Sequence, residues 1–393
     1  MRYEPAMVWI LAYYLLYWAL AAWADKGSAQ ALRVSQFGCP EHAPWPGISV
    51  LKPLRGGTIL QSDLLAREEA LLCFSSWMKQ DYPGPIQLIF SLQDPHDPAL
   101  PLLEELRVKY PFELIIHPVQ PGFNGKMSNL LNASLRADHE ILVLSDADIE
   151  SEPSALRRIV ARILEPGESI VSCIPLHDRA RGTPARIYAA IWNRAILWFW
   201  APAMLGAHAP GVAGGTIGLR RSTLERIGGL AGFSDRVAED IAMGMSARRN
   251  GIALRLGPPV RSPVGRMGWS ELRHKLLRAS LVAWTSNPGG RMATLALYTF
   301  SAGYTAILGC SLYSGAWGKV AISLLFILGL GLLVGRLERR ITGRFRFPLE
   351  VVLLDLCMVA SFISAVVWPR MSWGGLPYRV TRDGRLEAVQ ARP

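Results

Sequence analysis

EILVLSDAD, Glu140 to Asp148, is an apolar run that stops at two aspartates one residue apart. A short continuous apolar run bounded by polar residues fits a strand buried on both faces, the kind found in parallel sheets covered by helices. The neighbouring runs share the pattern: ISVLKP (Ile48 to Pro53), IQLIFSL (Ile86 to Leu92), FELIIH (Phe112 to His117) and SIVSCI (Ser169 to Ile174). Between them Leu60 to Met78, Pro98 to Lys109, Met127 to Ala137 and Pro153 to Leu164 carry helical spacing. Such alternation predicts an α/β fold with a Rossmann-like, doubly wound, mostly parallel sheet. In that architecture ligands sit beyond the carboxyl ends of the strands. Three ends carry polar residues: Lys52-Pro53-Leu54-Arg55-Gly56, Gln93-Asp94-Pro95-His96-Asp97 and Ser145-Asp146-Ala147-Asp148. Carboxylates at two ends of one sheet face a common edge, where they can hold a nucleotide and a divalent ion. A lone Asp-x-Asp is also what a helix N-cap ahead of Pro153 would show with no ligand at all.

The chain has 393 residues, 50% hydrophobic and 19% charged, with a net charge of +11. Its mean hydropathy is +0.21. Soluble domains carry about a quarter charged residues, so part of this chain is expected in lipid and part in a globular body; disorder and a collagen-like chain are excluded. The excess basic residues are mostly Arg, scattered or beside apolar runs, without zinc-finger, basic-zipper or RRM spacing. They point to an anionic lipid bilayer as partner and away from nucleic acid. Cys39, Cys73, Cys173, Cys310 and Cys357 are odd in number, far apart and form no CxxC, which predicts reduced thiols and a cytosolic main domain.

Met7 to Trp23 is an uncharged run long enough to span a bilayer, and it lacks the basic start and cleavage site of a signal peptide. Met292 to Tyr313, Ala316 to Gly335 and Leu349 to Trp368 are three further candidates. The last contains Glu350 and Asp355, costly in lipid unless partnered, so a tilted or interfacial helix is its alternative. Arg336, Arg339, Arg340, Arg344 and Arg346 form the densest basic loop, which the positive-inside rule places in the cytosol. The expected layout is an anchor over 1–25, a cytosolic domain over 47–290, a transmembrane bundle over 291–370 and a tail over 371–393, in a multi-pass protein of the cell inner membrane. Counting spans forward puts that tail on the far side, against its own Arg content. Trp192 to Met204 (WNRAILWFWAPAM) reads either as an interfacial helix or as a buried core helix.

The succession PLRG, QDPHDPA, NGKMSNLLNA, LSDADI, GGTIGLRRSTLERIGG and VAEDIAMGMSARRNG resembles GT-A glycosyltransferases of family 2, within them the ceramide glucosyltransferase group and its bacterial relatives. The likeness covers about Gly47 to Trp284, and Trp373 to Val380 is similar to an aromatic and basic ending common in that group. The resemblance implies an inverting transferase that moves one sugar, glucose first among them, from a UDP-sugar to the primary hydroxyl of ceramide. Relatives that glycosylate hopanoids with UDP-N-acetylglucosamine share these motifs, and an inactive nucleotide-sugar-binding membrane protein is the reading from another class.

Such a transfer needs a stabilised leaving diphosphate and a base for the acceptor hydroxyl. Mg2+ or Mn2+ held by Asp146 and Asp148 would supply Lewis-acid help. By resemblance, the donor side comprises Pro53, Asp94 at the uracil or ribose, Asp146, and Lys126 near the phosphates, although a lysine at a helix start is also an ordinary solvated charge. Asp240 is the implied general base, with Glu239 beside it; acidic residues at a helix N-terminus are favourable in any helix. Gly214, Gly215 and Thr216 would line the acceptor side, or form a plain turn before a strand. The family's (Q/R)xxRW signature is met only in part: Lys275 and Arg278 fit its cations, Ala279 stands where Trp is usual, and the register can slip toward Trp284.

Overall fold

The computed structural model describes residues 5–38, 45–55, 67–209, 211–285, 302–346, 351–373 and 376–388. Cys39, Gly56, the start of the expected Leu60 to Met78 helix, 292–301 of the second apolar run, Leu349, Glu350 and the Gly374-Gly375 pair lie outside them. The chain opens with α1 (Pro5–Ser35), then β1 (Ile48–Pro53), α2 (Arg67–Ser75), β2 (Ile86–Leu92), α3 (Leu100–Arg107), β3 (Glu113–Ile116), α4 (Gly125–Ser134), β4 (Ile141–Ser145) and α5 (Ala155–Leu164). There follow β5 (Ser169–Arg181), α6 (Thr183–Arg194), a π-turn (Ala195–Trp200), α7 (Ala201–Leu205), β6 (Thr216–Arg220), α8 (Arg221–Arg226), α9 (Glu239–Arg249), β7 (Ala253–Arg266) and α10 (Trp269–Thr285). A helical stretch over 302–313, α11 (Trp317–Thr342), α12 (Val351–Val367) and the strands β8 (Arg370–Trp373), β9 (Leu376–Val380) and β10 (Leu386–Ala388) complete it.

Seven strands form one sheet in the order β3-β2-β1-β4-β6-β5-β7. β1 pairs in parallel with β2 and β4, whereas β6 runs antiparallel between β4 and β5. The doubly wound expectation holds, with one antiparallel insertion that the sequence pattern did not reveal. Every residue of β1 and β4 is buried. Their side chains alternate: Ile48, Val50, Ile141 and Val143 pack with Phe74, Trp77 and Ile159 on one face, while Leu51, Leu142 and Leu144 meet Met127, Leu130 and Met243 on the other. Winding reverses between β1 and β4, so their carboxyl ends, Lys52-Pro53 and Ser145-Asp146, flank the crevice where such sheets bind ligands.

Two described helices are long and apolar enough to cross a membrane, Ala6–Ser35 and Trp317–Thr342. They lie side by side in one direction: Tyr14 stacks on Phe326 and shares a hydrogen bond with Ser323, and further along Arg340 Nη2 donates to Asp25 Oδ2 at 2.8 Å. The first helix therefore continues past the expected anchor end at residue 25. Trp192 to Met204 is helical through its π-turn and buries Ile196, Leu197 and Trp198 against α1, which favours the core reading over the interfacial one, although Phe199 stays exposed.

Of the last apolar run, Val351–Val367 is helical and packs on α10 and α6, while Leu349 and Glu350 lie outside the described residues. Asp355 meets its partner: Arg194 Nη1 donates to Asp355 Oδ1 at 2.9 Å and Tyr304 Oη to Oδ2 at 2.7 Å, all three buried. The tail, expected on the far side from the span count, packs instead on the α/β body through β8–β10: Val237 N donates to Gly384 O at 3.0 Å and Leu386 N to Asp235 O at 2.8 Å.

Candidate active site

Lys126 stands at the centre. Asn124 caps α4 by accepting from Met127 N, which places Lys126 in the first turn of the helix. Its Nζ lies 2.6 Å from Asp146 Oδ1 and 2.7 Å from Glu239 Oε1. One ammonium thus ties the end of β4 to the start of α9. Asn124 Nδ2 also donates to Glu239 Oε2 at 3.2 Å and to Arg236 O at 3.0 Å, so the loop before α9 is held from the same side.

Asp240, next along, makes no such ion pair. Its Oδ1 accepts from Ile241 N at 2.8 Å, and its Oδ2 faces Gly214, where an added Cβ would sit 2.7 Å away. Only glycine lets the carboxylate occupy that place. The two neighbours are displaced in opposite directions. Burial opposes the Glu239 charge, but the Lys126 ammonium and its hydrogen bond outweigh it and hold the carboxyl below its ordinary value. Burial, then the Glu239 charge, push Asp240 up to about 6. Burial, with the Asp148 and Glu239 charges, pushes Asp146 up to about 7 against the pull of Lys126.

Asp146, Glu239 and Asp240 thus surround Lys126, and the Asp148 charge acts on Asp146 beside them. Among the described residues no three His, Cys, Asp or Glu side chains group into a closed metal cage. Two strand-end carboxylates with hard oxygens are what Mg2+ or Mn2+ takes from a protein when substrate phosphates and water complete its shell. The residues at hand fit that ion, and Asp146 and Asp148 are the candidate holders.

The remaining expected residues are placed as follows. Pro53 ends β1 beside the crevice. Asp94 is exposed after β2, its Oδ1 accepting from His96 N at 2.8 Å. Gly215 packs against Ile149 and Pro175. Thr216 is fully buried, with its hydroxyl on Ser145 Oγ and Gly215 O, so it supports the β4–β6 pair and faces no acceptor. Along α10, Arg278 acts by its charge on Glu239 and Asp240, and Lys275 lies over the Tyr188 ring at 4.9 Å. Trp284 meets Phe362 of α12 edge to face. Of the two cationic positions, Arg278 acts on the Glu239-Asp240 pair, whereas Lys275 also pairs with Glu271 of its own helix at 3.5 Å.

Two features were missed in the sequence. Lys52 is fully buried under the Asp146 turn, where Nζ donates to Asp146 O at 2.7 Å and lies 5.1 Å over the Trp77 ring. Trp77 Nε1 holds Ile149 O at 3.0 Å from the same side. Burial lowers Lys52 to about 8. A lysine at the end of a buried run, immediately before PLRG, was the available signal. His177, stacked on Trp192 and edge-on to Tyr188, forms an aromatic group near Asp148 and Lys275; burial lowers its pKa to about 4. Only the aromatic spacing hinted at it.

A model of glycosyl transferase family 21 matches residues 7–386. A ceramide glucosyltransferase of Candida albicans is 24% identical over 130 residues, which is 30% of this chain and 22% of that protein's length. Among solved structures, a mannosyltransferase from Pyrobaculum calidifontis in complex with GDP-Man and Mn2+ is similar with a TM-score of 0.51 and 18% identity, covering 91% of this chain and 99% of that one. TarS 1–349 of S. aureus in complex with UDP-GlcNAc gives a TM-score of 0.39 at 14% identity, with 88% and 100% covered.

Proposed function

The chain belongs to glycosyl transferase family 21, the family of ceramide glucosyltransferases, and from that premise we propose that it transfers glucose from UDP-glucose to the primary hydroxyl of ceramide, with inversion, at the surface of a membrane that it spans. The observation that carries this reading is the Asp240 carboxylate. It is sheltered, set against Gly214, and linked through Glu239 and Lys126 to the Asp146 strand end.

Asp240 Oδ2 takes the proton of the acceptor hydroxyl while that oxygen forms its bond to the anomeric carbon. The bond from that carbon to the UDP oxygen breaks on the opposite face. A pKa near 6 leaves Asp240 ionised at neutral pH yet basic enough to share the proton in the transition state. Asp146 and Asp148 would hold a divalent ion, which would supply Lewis-acid stabilisation of the leaving diphosphate. Lys126 and Arg278 add fixed positive charge around the same group. Lys52 and Trp77 keep the Asp146 turn in place from below. The Arg cluster at the end of α11 beside Asp25 marks the cytosolic surface of an inner membrane, with the catalytic body on that side.

The test is mass spectrometry of lipids from a host expressing the chain and supplied with ceramide and hopanoid. Hexosyl-ceramide is the expected product. N-acetylhexosaminyl-hopanoid in its place would overturn the donor and acceptor while keeping the reaction class.

A further inference from the structure

The segments that carry Lys126 and Asp240 are both touched by the C-terminal strands. Tyr378 of β9, buried to 3% exposure, meets the Phe123 ring edge to face at 5.7 Å, one residue before the Asn124 that holds Glu239 and Arg236. On the Asp240 side, the turn between β9 and β10 is stitched to the loop before α9. Val237 N donates to Gly384 O, Leu386 N to Asp235 O, and Arg236 Nη1 to Asp383 O at 2.5 Å, with Asp383 Oδ2 3.3 Å from the same nitrogen. Asp235 Oδ1 in turn accepts from Phe123 N at 3.0 Å and closes the ring of contacts. Behind α9 lies a cleft of about 330 Å³ whose lining includes Arg236, Val237, Ala238 and Ile241 from the loop and helix and Asp383 and Gly384 from the β9–β10 turn.

We infer that the C-terminal sheet is a working part of the catalytic site: its β9–β10 turn and Tyr378 clasp the 123–126 and 235–240 segments together and so set Asp240 against the acceptor. Tyr378 and Asp383 are positioning residues, acting through Phe123 and Arg236. The sheet follows α12, which packs on α10, so the clasp also fixes the loop relative to the helix bearing Arg278. The inference rests on Asp240 being the base, as proposed above. A side chain displaced by about an ångström loses alignment with the reacting hydroxyl while the nucleotide contacts remain, so the cost falls on kcat.

The experiment compares full-length Tyr378→Ala, Tyr378→Phe and Asp383→Ala with wild type and with Asp240→Asn. Turnover and donor KM are read beside hydrogen exchange of peptides covering 123–127 and 235–241. Expected are a kcat about ten-fold lower for Tyr378→Ala with KM within about two-fold, recovery in Tyr378→Phe, which keeps the ring, and a fall of several-fold for Asp383→Ala. Asp383 is surface-exposed, so that variant reports on the clasp even where Tyr378→Ala does not fold. Exchange in both peptides quickens in each clasp variant. Unchanged exchange, or wild-type kcat in Asp383→Ala and in folded Tyr378→Ala, overturns the clasp. An active Asp240→Asn sinks the base assignment, and exchange then judges the clasp by itself.

Discussion

Glu239 and Asp240 are chemically near-equivalent neighbours that the fold drives apart. Glu239 spends its charge on Lys126 and Asn124, whereas Asp240 keeps a free oxygen beside Gly214 and a pKa of about 6. A base must be unprotonated, so turnover falls as pH drops through about 6 and levels off above it. The acid limb of the kcat/KM profile is the measurement, and Asp240→Asn is expected to lose about 10² to 10⁴-fold with donor affinity little changed. An acid limb near 4 would move the role elsewhere. Asp146, Asp148, Lys126 and the Glu239-Asp240 pair were legible because polar residues at strand ends and helix starts are informative by position. Lys52 was not, since a lysine after a strand reads as solvated unless the turn that covers it is known.

At the scale of elements, the β-α alternation revealed the five strands β1 to β5, which all run the same way, through their short apolar runs. The antiparallel β6, TIGLR, is short and carries a glycine, so its pairing between β4 and β5 depends on tertiary context alone; at Gly218 an added Cβ would lie 2.3 Å from Ile159. The final apolar run is ambiguous in sequence for a related reason. Asp355 in an apolar run looks like a defect until Arg194, 161 residues earlier, arrives beside it. Removing one partner of such a pair leaves the other charge buried at a cost of about 3 to 5 kcal/mol, whereas replacing both with apolar residues is nearly neutral. Asp355→Ala is therefore expected to lower the unfolding temperature in detergent by many degrees, and the double variant Arg194→Met, Asp355→Leu to recover most of it. Equal stability of Asp355→Ala and wild type would show that the pair contributes nothing to holding α12 on α6.

For the whole molecule, sidedness follows from packing more firmly than from counting apolar runs. α1 and α11 run in the same direction, with Tyr14 level with Ser323 and Asp25 level with Arg340, so the 302–313 helix must lead away from the catalytic body and α11 return to it. α12 then lies on α10 and delivers β8–β10 to the catalytic body. From this packing an even number of crossings after that body is expected, with the tail on its side. Counting apolar runs predicts an odd number, because the hydropathy of Val351–Val367 does not distinguish a helix buried against protein from one buried in lipid. In a chain with its own cysteines replaced, single cysteines at Val108 on the catalytic body and at Glu387 on β10 are expected to react with an impermeant thiol reagent from one face of sealed vesicles. One at Tyr313, 96% exposed before the turn into α11, should react from the other. Glu387 labelling together with Tyr313 would restore a third crossing, and it would be incompatible with hydrogen bonds from the β9–β10 region to Asp235 and Val237.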